Sequence, residues 1–308
     1  MKEHSRYEMK ACGSLIKRNV TMFFKDKGTF FTSLATPLIL LVLYATFLSN
    51  VYEDSFRAAL PAGLPIDDSL INGLVGGLLL SSLLAVSAVT VPFCANLFMV
   101  QDRVTGARAD LSITPIKSSS LALGYYFATV LNGLIICFVA LTMGLVYLSV
   151  IGWYLSFTDV LALVFDVVFL VLFGAVLSSL VCYPLNSQGA ISAVGSIVSS
   201  CYGFLCGAYM PISSFSKGLQ NALVFLPGTH GTSLLRNHAL SGTFEAMIND
   251  GVPAEGVDAL RAVADCKLSF FGDSVEKWVM YLVLVGAVVL LLAVYVTMMI
   301  LAERKNRK

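Results

Sequence analysis

Six stretches of the 308-residue chain hold one charged side chain between them, and this distribution constrains the fold more than any motif does. They are residues 29–49, 71–100, 121–151, 160–183, 189–210 and 278–301, and the charge is Asp166. At about 1.5 Å per helical residue even the shortest reaches about 31 Å, enough to cross the hydrocarbon core of a bilayer. Isolated strands are excluded there, because their backbone groups would go unpaired in lipid. Charged residues make up 13% of the chain, about half the roughly 25% of soluble domains. The expected fold class is an all-α integral membrane protein with six transmembrane helices.

Lys and Arg counts near the span ends give the orientation. Residues 1–28 carry seven, the 101–120 loop three and the tail after residue 301 four, whereas the 50–70 loop has one and the 152–159 loop none. Residues 211–277 hold five among seven acids. Both termini and the 101–120 loop are therefore expected in the cytoplasm of a plasma membrane, with 211–277 outside and Trp153 and Trp278 at the outer interface. The first apolar run follows 28 mixed residues, so it serves as its own insertion signal and no cleavable one is expected.

Residues 5–27 alternate basic groups with Leu15, Ile16, Val20, Met22, Phe23 and Phe24. This suits either an interfacial helix with its apolar face in lipid or an ordinary lead-in to the first span. Pro37 and Pro92 lie inside the first two spans, where each removes a backbone hydrogen bond. In the 101–120 loop Asp102, Arg103, Arg108 and Asp110 fit a short helix ended by Pro115, either a solvated connection or a docking element. Past the fifth span Phe215, Leu219, Leu223 and Leu226 recur at helical spacing before Pro227 and Gly228 break the chain. These pieces are too short to cross, and either dip into the outer leaflet or rest on its surface. Residues 253–264 read as a short exterior helix, and Asp273 with Glu276 as a capping box opening the last span.

Catalytic constellations are absent. There is no phosphate-loop motif, no HExxH or GxSxG, and no paired Cys/His spacing, so no catalytic residue, bound metal or nucleic-acid partner is expected. His230 and His238 do not complete a metal site. Asp166, seven residues after Asp159 and on the same helical face, sits about 10 Å from the outer end of its span. It is either part of a translocation path or a hydrated structural group. Gly73 with Gly77 and Gly203 with Gly207 form GxxxG pairs, which serve packing within one subunit as readily as dimerisation.

Three stretches in order resemble the permease subunit of bacterial type-2 ATP-binding-cassette (ABC) exporters, a family that includes drug, polysaccharide and teichoic-acid export permeases. They are the basic lead-in and Pro-containing span at 15–47, the acid–Arg–Gly stretch at 102–127, and the Gly–Pro–Leu–Arg pattern at 203–236. The resemblance implies an interfacial helix over 1–28, a six-span permease domain over 29–301 and a basic tail over 302–308. It implies a coupling helix over 102–112, with Gln101, Asp102, Arg103, Gly106 and Arg108 seated against a separate ATPase subunit that holds ATP and Mg. It also implies re-entrant half-helices marked by Pro211, Pro227, Gly228 and Arg236, and a second permease subunit, identical or related. Residues 238–277 are longer than the family's usual connection. The expected function is export of an amphipathic cargo such as a drug, peptide or lipid-like molecule. The alternatives are glycan or glycolipid export, or a non-pumping membrane sensor or immunity protein.

Overall fold

The computed structural model describes residues 2–60, 66–113 and 116–306. Pro115, expected to end the coupling helix, and Arg307 and Lys308 of the basic tail lie outside these residues. The described chain is helical apart from turns and one small hairpin, Ser269–Phe270 paired antiparallel with Asp273–Ser274.

Helix α1 (Lys2–Lys25) meets α2 (Lys27–Leu43) at Asp26, whose carboxylate accepts from the amides of Gly28 and Thr29 and so stops one helix and starts the next. A π-turn at Tyr44–Leu48 carries α2 into α3 (Ser49–Ala59). Asp67 caps α4 (Asp68–Ala95), which contains Pro92. Asn96 ends it, donating to Ser178 Oγ at 2.5 Å and accepting from Thr129 at 3.1 Å, and α5 (Leu97–Val104) follows. Gly106, at φ +84°, separates α5 from α6 (Ala107–Ile113).

The long helices α7 (Ser118–Ile151) and α8 (Phe157–Cys182) are joined by a short exposed turn. The capping box falls there, between Ser156 and Asp159, and not at Asp273. Asp273 is paired in the hairpin, too far ahead of the last helix to cap it. Helix α9 (Gln188–Leu205) leads through a turn into α10 (Lys217–Val224), α11 (Pro227–Ala239), α12 (Ser241–Asn249) and α13 (Ala254–Val263), and α14 (Lys277–Asn306) closes the chain.

Among the described residues five helical stretches are long and apolar enough to span a bilayer: Lys27–Ala59, Asp68–Val104, Ser118–Ile151, Phe157–Cys182 and Lys277–Ala302. They coincide with the expected spans 29–49, 71–100, 121–151, 160–183 and 278–301. The remaining expected span, 189–210, forms the 18-residue α9, about 27 Å long. It stops at Cys206 because Gly207 turns the chain at φ +77°. The chain is an all-α membrane protein.

Helix α4 is the centre of the bundle. Almost every residue along it is buried, packed by α2, α7, α8, α9 and α11. Its tightest neighbour is α8: a Cβ on Gly174 would lie 2.2 Å from the carbonyl oxygen of Ala88. The glycines of the expected GxxxG pairs have close neighbours within the chain. Gly73 faces the ring of Tyr154, Gly77 the backbone of Ala239, and Gly203 the ring of Tyr209. Gly207 lies outside the helix and works as its left-handed terminator. In α1, Leu15 and Phe23 are buried against protein, Leu15 on Gly124 of α7, while Phe24 is exposed. The apolar stripe of α1 is therefore shared between protein and surroundings.

Candidate functional site

Chain direction places α1, α5, α6, the turn after α8 and the end of α14 at one end of the bundle, which we term the basic end. Asp102 on α5 is the node of this end. It is 3% exposed and takes both guanidinium nitrogens of Arg18 on α1 at 2.6 Å, with the Tyr125 hydroxyl of α7 donating at 2.7 Å. A bidentate Arg–carboxylate pair is stronger and more directional than a single-point contact. The carboxylate in turn pushes the Arg18 guanidinium pKa up from its ordinary value.

Arg103, the next residue, faces the other way. It donates to the backbone carbonyls of Tyr183 and Leu185 in the turn between α8 and α9, and its guanidinium lies 5.3 Å from the centre of the Tyr183 ring. These carbonyls are end-of-helix groups that need an outside donor. Arg108 on α6 reaches Met299 Sδ of α14 at 3.2 Å, and Lys117 pairs with Glu8 of α1 at 3.1 Å.

Of the five expected coupling residues, then, Asp102, Arg103 and Arg108 bind the membrane helices, Gln101 is half-buried and Gly106 is exposed. The expectation of one continuous coupling helix over 102–112 is corrected to two helices broken at Gly106. Val104, Thr105, Gly106 and Asp110 are exposed.

The opposite, loop-rich end has its own carboxylates. Asp166, 1% exposed, accepts from His238 Nδ1 at 2.6 Å and from the Tyr281 hydroxyl, so α8, α11 and α14 meet on it. One face of α8 carries both Asp159 and Asp166, as their spacing predicts. Asp159 accepts from Ser241 at 2.5 Å.

Arg236 is fully buried and pairs with Asp265 at 2.9 Å, while its second nitrogen donates to the Gly207 carbonyl at 2.6 Å. Asp265, in the left-handed region at φ +49°, also accepts from the Ile212 amide at 2.6 Å. Burial pushes its carboxyl up from the ordinary range, with Arg236 and the amides acting against it. Tyr44 and Tyr52, with rings stacked 5.8 Å apart, lie beside Arg236.

The helix, break and helix expected around Pro227 are present as α10 and α11. Pro227 opens α11, where its missing N–H costs nothing. Gly228 lets the Tyr202 hydroxyl approach, and Pro211 precedes a 3₁₀ turn. Sequence reasoning missed Arg18, Tyr125, His238, Tyr281 and Asp265. Their one available signal was that each ionisable group of an apolar chain needs a partner. Among the described residues no group of three His, Cys, Asp or Glu side chains is placed to hold a metal ion.

Long apolar helices tied at both ends by buried carboxylates define a multi-pass membrane protein whose helices are coupled through polar nodes. Residues 61–295 match the family of ABC-2 family transporter proteins, and the chain belongs to that family. It is thus a membrane subunit of the ABC permease type, a class that associates in general with an ABC ATPase subunit. No curated protein matches the chain closely enough to count as a relative.

Proposed function

We propose that the chain is the translocating permease of an ABC exporter, with its basic end in the cytoplasm of the plasma membrane against a separate ATPase subunit. ATP and Mg are held by that subunit, and this chain contributes no catalytic residue. The observation that carries the reading is the Asp102 node. The exposed residues 104–106 lie between Asp102 and Arg103, which grip α1, α7 and the α8–α9 turn, and Arg108, which reaches α14. Force applied at these residues is delivered to most of the bundle at once, as a two-state membrane element driven by a partner requires.

A second permease subunit fits against α9, whose exposed face carries Ser192, Ser196 and Ser200, small side chains that permit close helix approach, beside the apolar Ile197. The cargo proposed is an amphipathic molecule, in keeping with an apolar bundle whose interior polar groups are mostly hydroxyls.

Gly106→Val is the direct test. Space is open around Gly106, but its φ of +84° excludes a β-branched residue. In proteoliposomes containing this chain and its ATPase subunit, ATP hydrolysis persists while cargo transport falls at least tenfold. Wild-type coupling in the variant overturns the assignment.

A further inference from the structure

The segment between α11 and α14 lines an open cleft of about 400 Å³ against the first turn of α14, within the size range of small-molecule sites. Its walls are of two kinds. Phe244 and Met280 are buried and apolar, whereas Arg261, Lys267 and Lys277 bring three cations against the single acid Glu276. Asp258 pairs with Lys267 at 2.9 Å and more loosely with Arg261 at 3.7 Å. Lys277 has no ion pair among the described residues, and Arg261 also lies over the Phe244 ring at 5.2 Å from its centre. The cavity therefore keeps an excess of positive charge after its internal pairs are counted. The opening turn of α14 adds the positive end of a 30-residue helix.

Position narrows the ligand further. Lys277 is followed by Trp278, 63% exposed, at the point where a long apolar helix begins. An indole there marks the level of lipid head groups. A cationic rim above an apolar wall at that level matches a molecule with an anionic head and a hydrocarbon tail. We propose that this cavity binds a phosphate- or carboxylate-headed amphiphile at the membrane interface of the loop-rich end. Arg261 and Lys277 take the head, and the apolar wall of half-buried Val275 with Phe244 and Met280 takes the start of the tail. Met280 and Asn237, both on its wall, are chain neighbours of Tyr281 and His238. An occupant therefore lies beside the Asp166 node. The site needs no ATPase and stands apart from docking at the basic end.

The test titrates the full chain, in nanodiscs of dioleoylphosphatidylcholine, with acyl-labelled dioleoylphosphatidic acid. Saturable binding is expected, weakened at least tenfold in the Arg261→Gln/Lys277→Gln double variant and unchanged in Lys217→Gln, which removes an exposed cation elsewhere on the same end. Glu276→Gln removes the opposing acid and tightens binding several-fold, a change of sign that a folding defect does not produce. Dodecyl phosphate displaces the label and inorganic phosphate does not. Equal displacement by the two overturns an amphiphile as the ligand. Unaltered affinity in the double variant, or equal binding of labelled phosphatidylcholine, overturns the site.

Discussion

At the basic end Asp102 is held by Arg18 and Tyr125, and at the loop-rich end Asp166 is held by His238 and Tyr281. Each carboxylate thus meets one nitrogen base and one phenol, brought from two other helices. The bases differ in kind. A guanidinium presents a fork of donors, so Arg18 holds Asp102 through two nitrogens at once. An imidazole brings one ring nitrogen to the carboxylate, so His238 holds Asp166 through a single contact. The same plan makes a two-point joint at one end and a one-point joint at the other.

The largest effect is expected from a third pair, which sets the scale for both. Asp265→Ala leaves Arg236 buried without its counter-ion, with a cost of about 3–5 kcal/mol. Unfolding of the detergent-solubilised protein, followed by tyrosine and tryptophan fluorescence, should occur many degrees lower. An unchanged transition would mean that the Gly207 carbonyl alone satisfies Arg236.

Asp102→Asn should cost less, about 1–3 kcal/mol, because Arg18 is half-exposed and water replaces part of the pair. Its larger signature is functional: α1 loses its hold on α5, and transport per ATP hydrolysed should drop. Arg18→Gln should reproduce the drop. If either variant couples normally, Asp102 is structural only and the contrast with Asp166 disappears.

Asp166→Asn should barely move the unfolding temperature, since the amide oxygen still accepts from His238 or Tyr281. Its effect should fall on transport, which should drop because His238 and Tyr281 each use a separate carboxylate oxygen and the amide supplies only one. Wild-type transport in the variant would show that Asp166 is structural only.

The sequence made some of this legible. Runs without charge locate the long helices because a bilayer tolerates no other arrangement, and Pro227 announces the α10–α11 break because its ring fits only the start of a helix. The nodes were hidden for the opposite reason. Arg18 and Asp102 are 84 residues apart, and Asp166 and His238 72 apart, so no periodicity within one helix relates them. Asp102 looked like a docking charge because it sits in a loop-like stretch, and only the packing of α1 and α7 turns it inward. Gly207 shows a second limit. Its spacing from Gly203 reads as a packing motif, but at φ +77° it works as a chain terminator, and spacing carries no information about dihedral angle.

At Gly174 the backbones of α4 and α8 touch without any side chain between them. A contact between flexible side chains gives way by changing rotamer, whereas a contact between two backbones has no such give. The two helices accordingly travel together as one plate. Any rearrangement that opens the bundle is left to the elements hung around that plate: α1 held on Asp102, the first span with its π-turn, and the short α9.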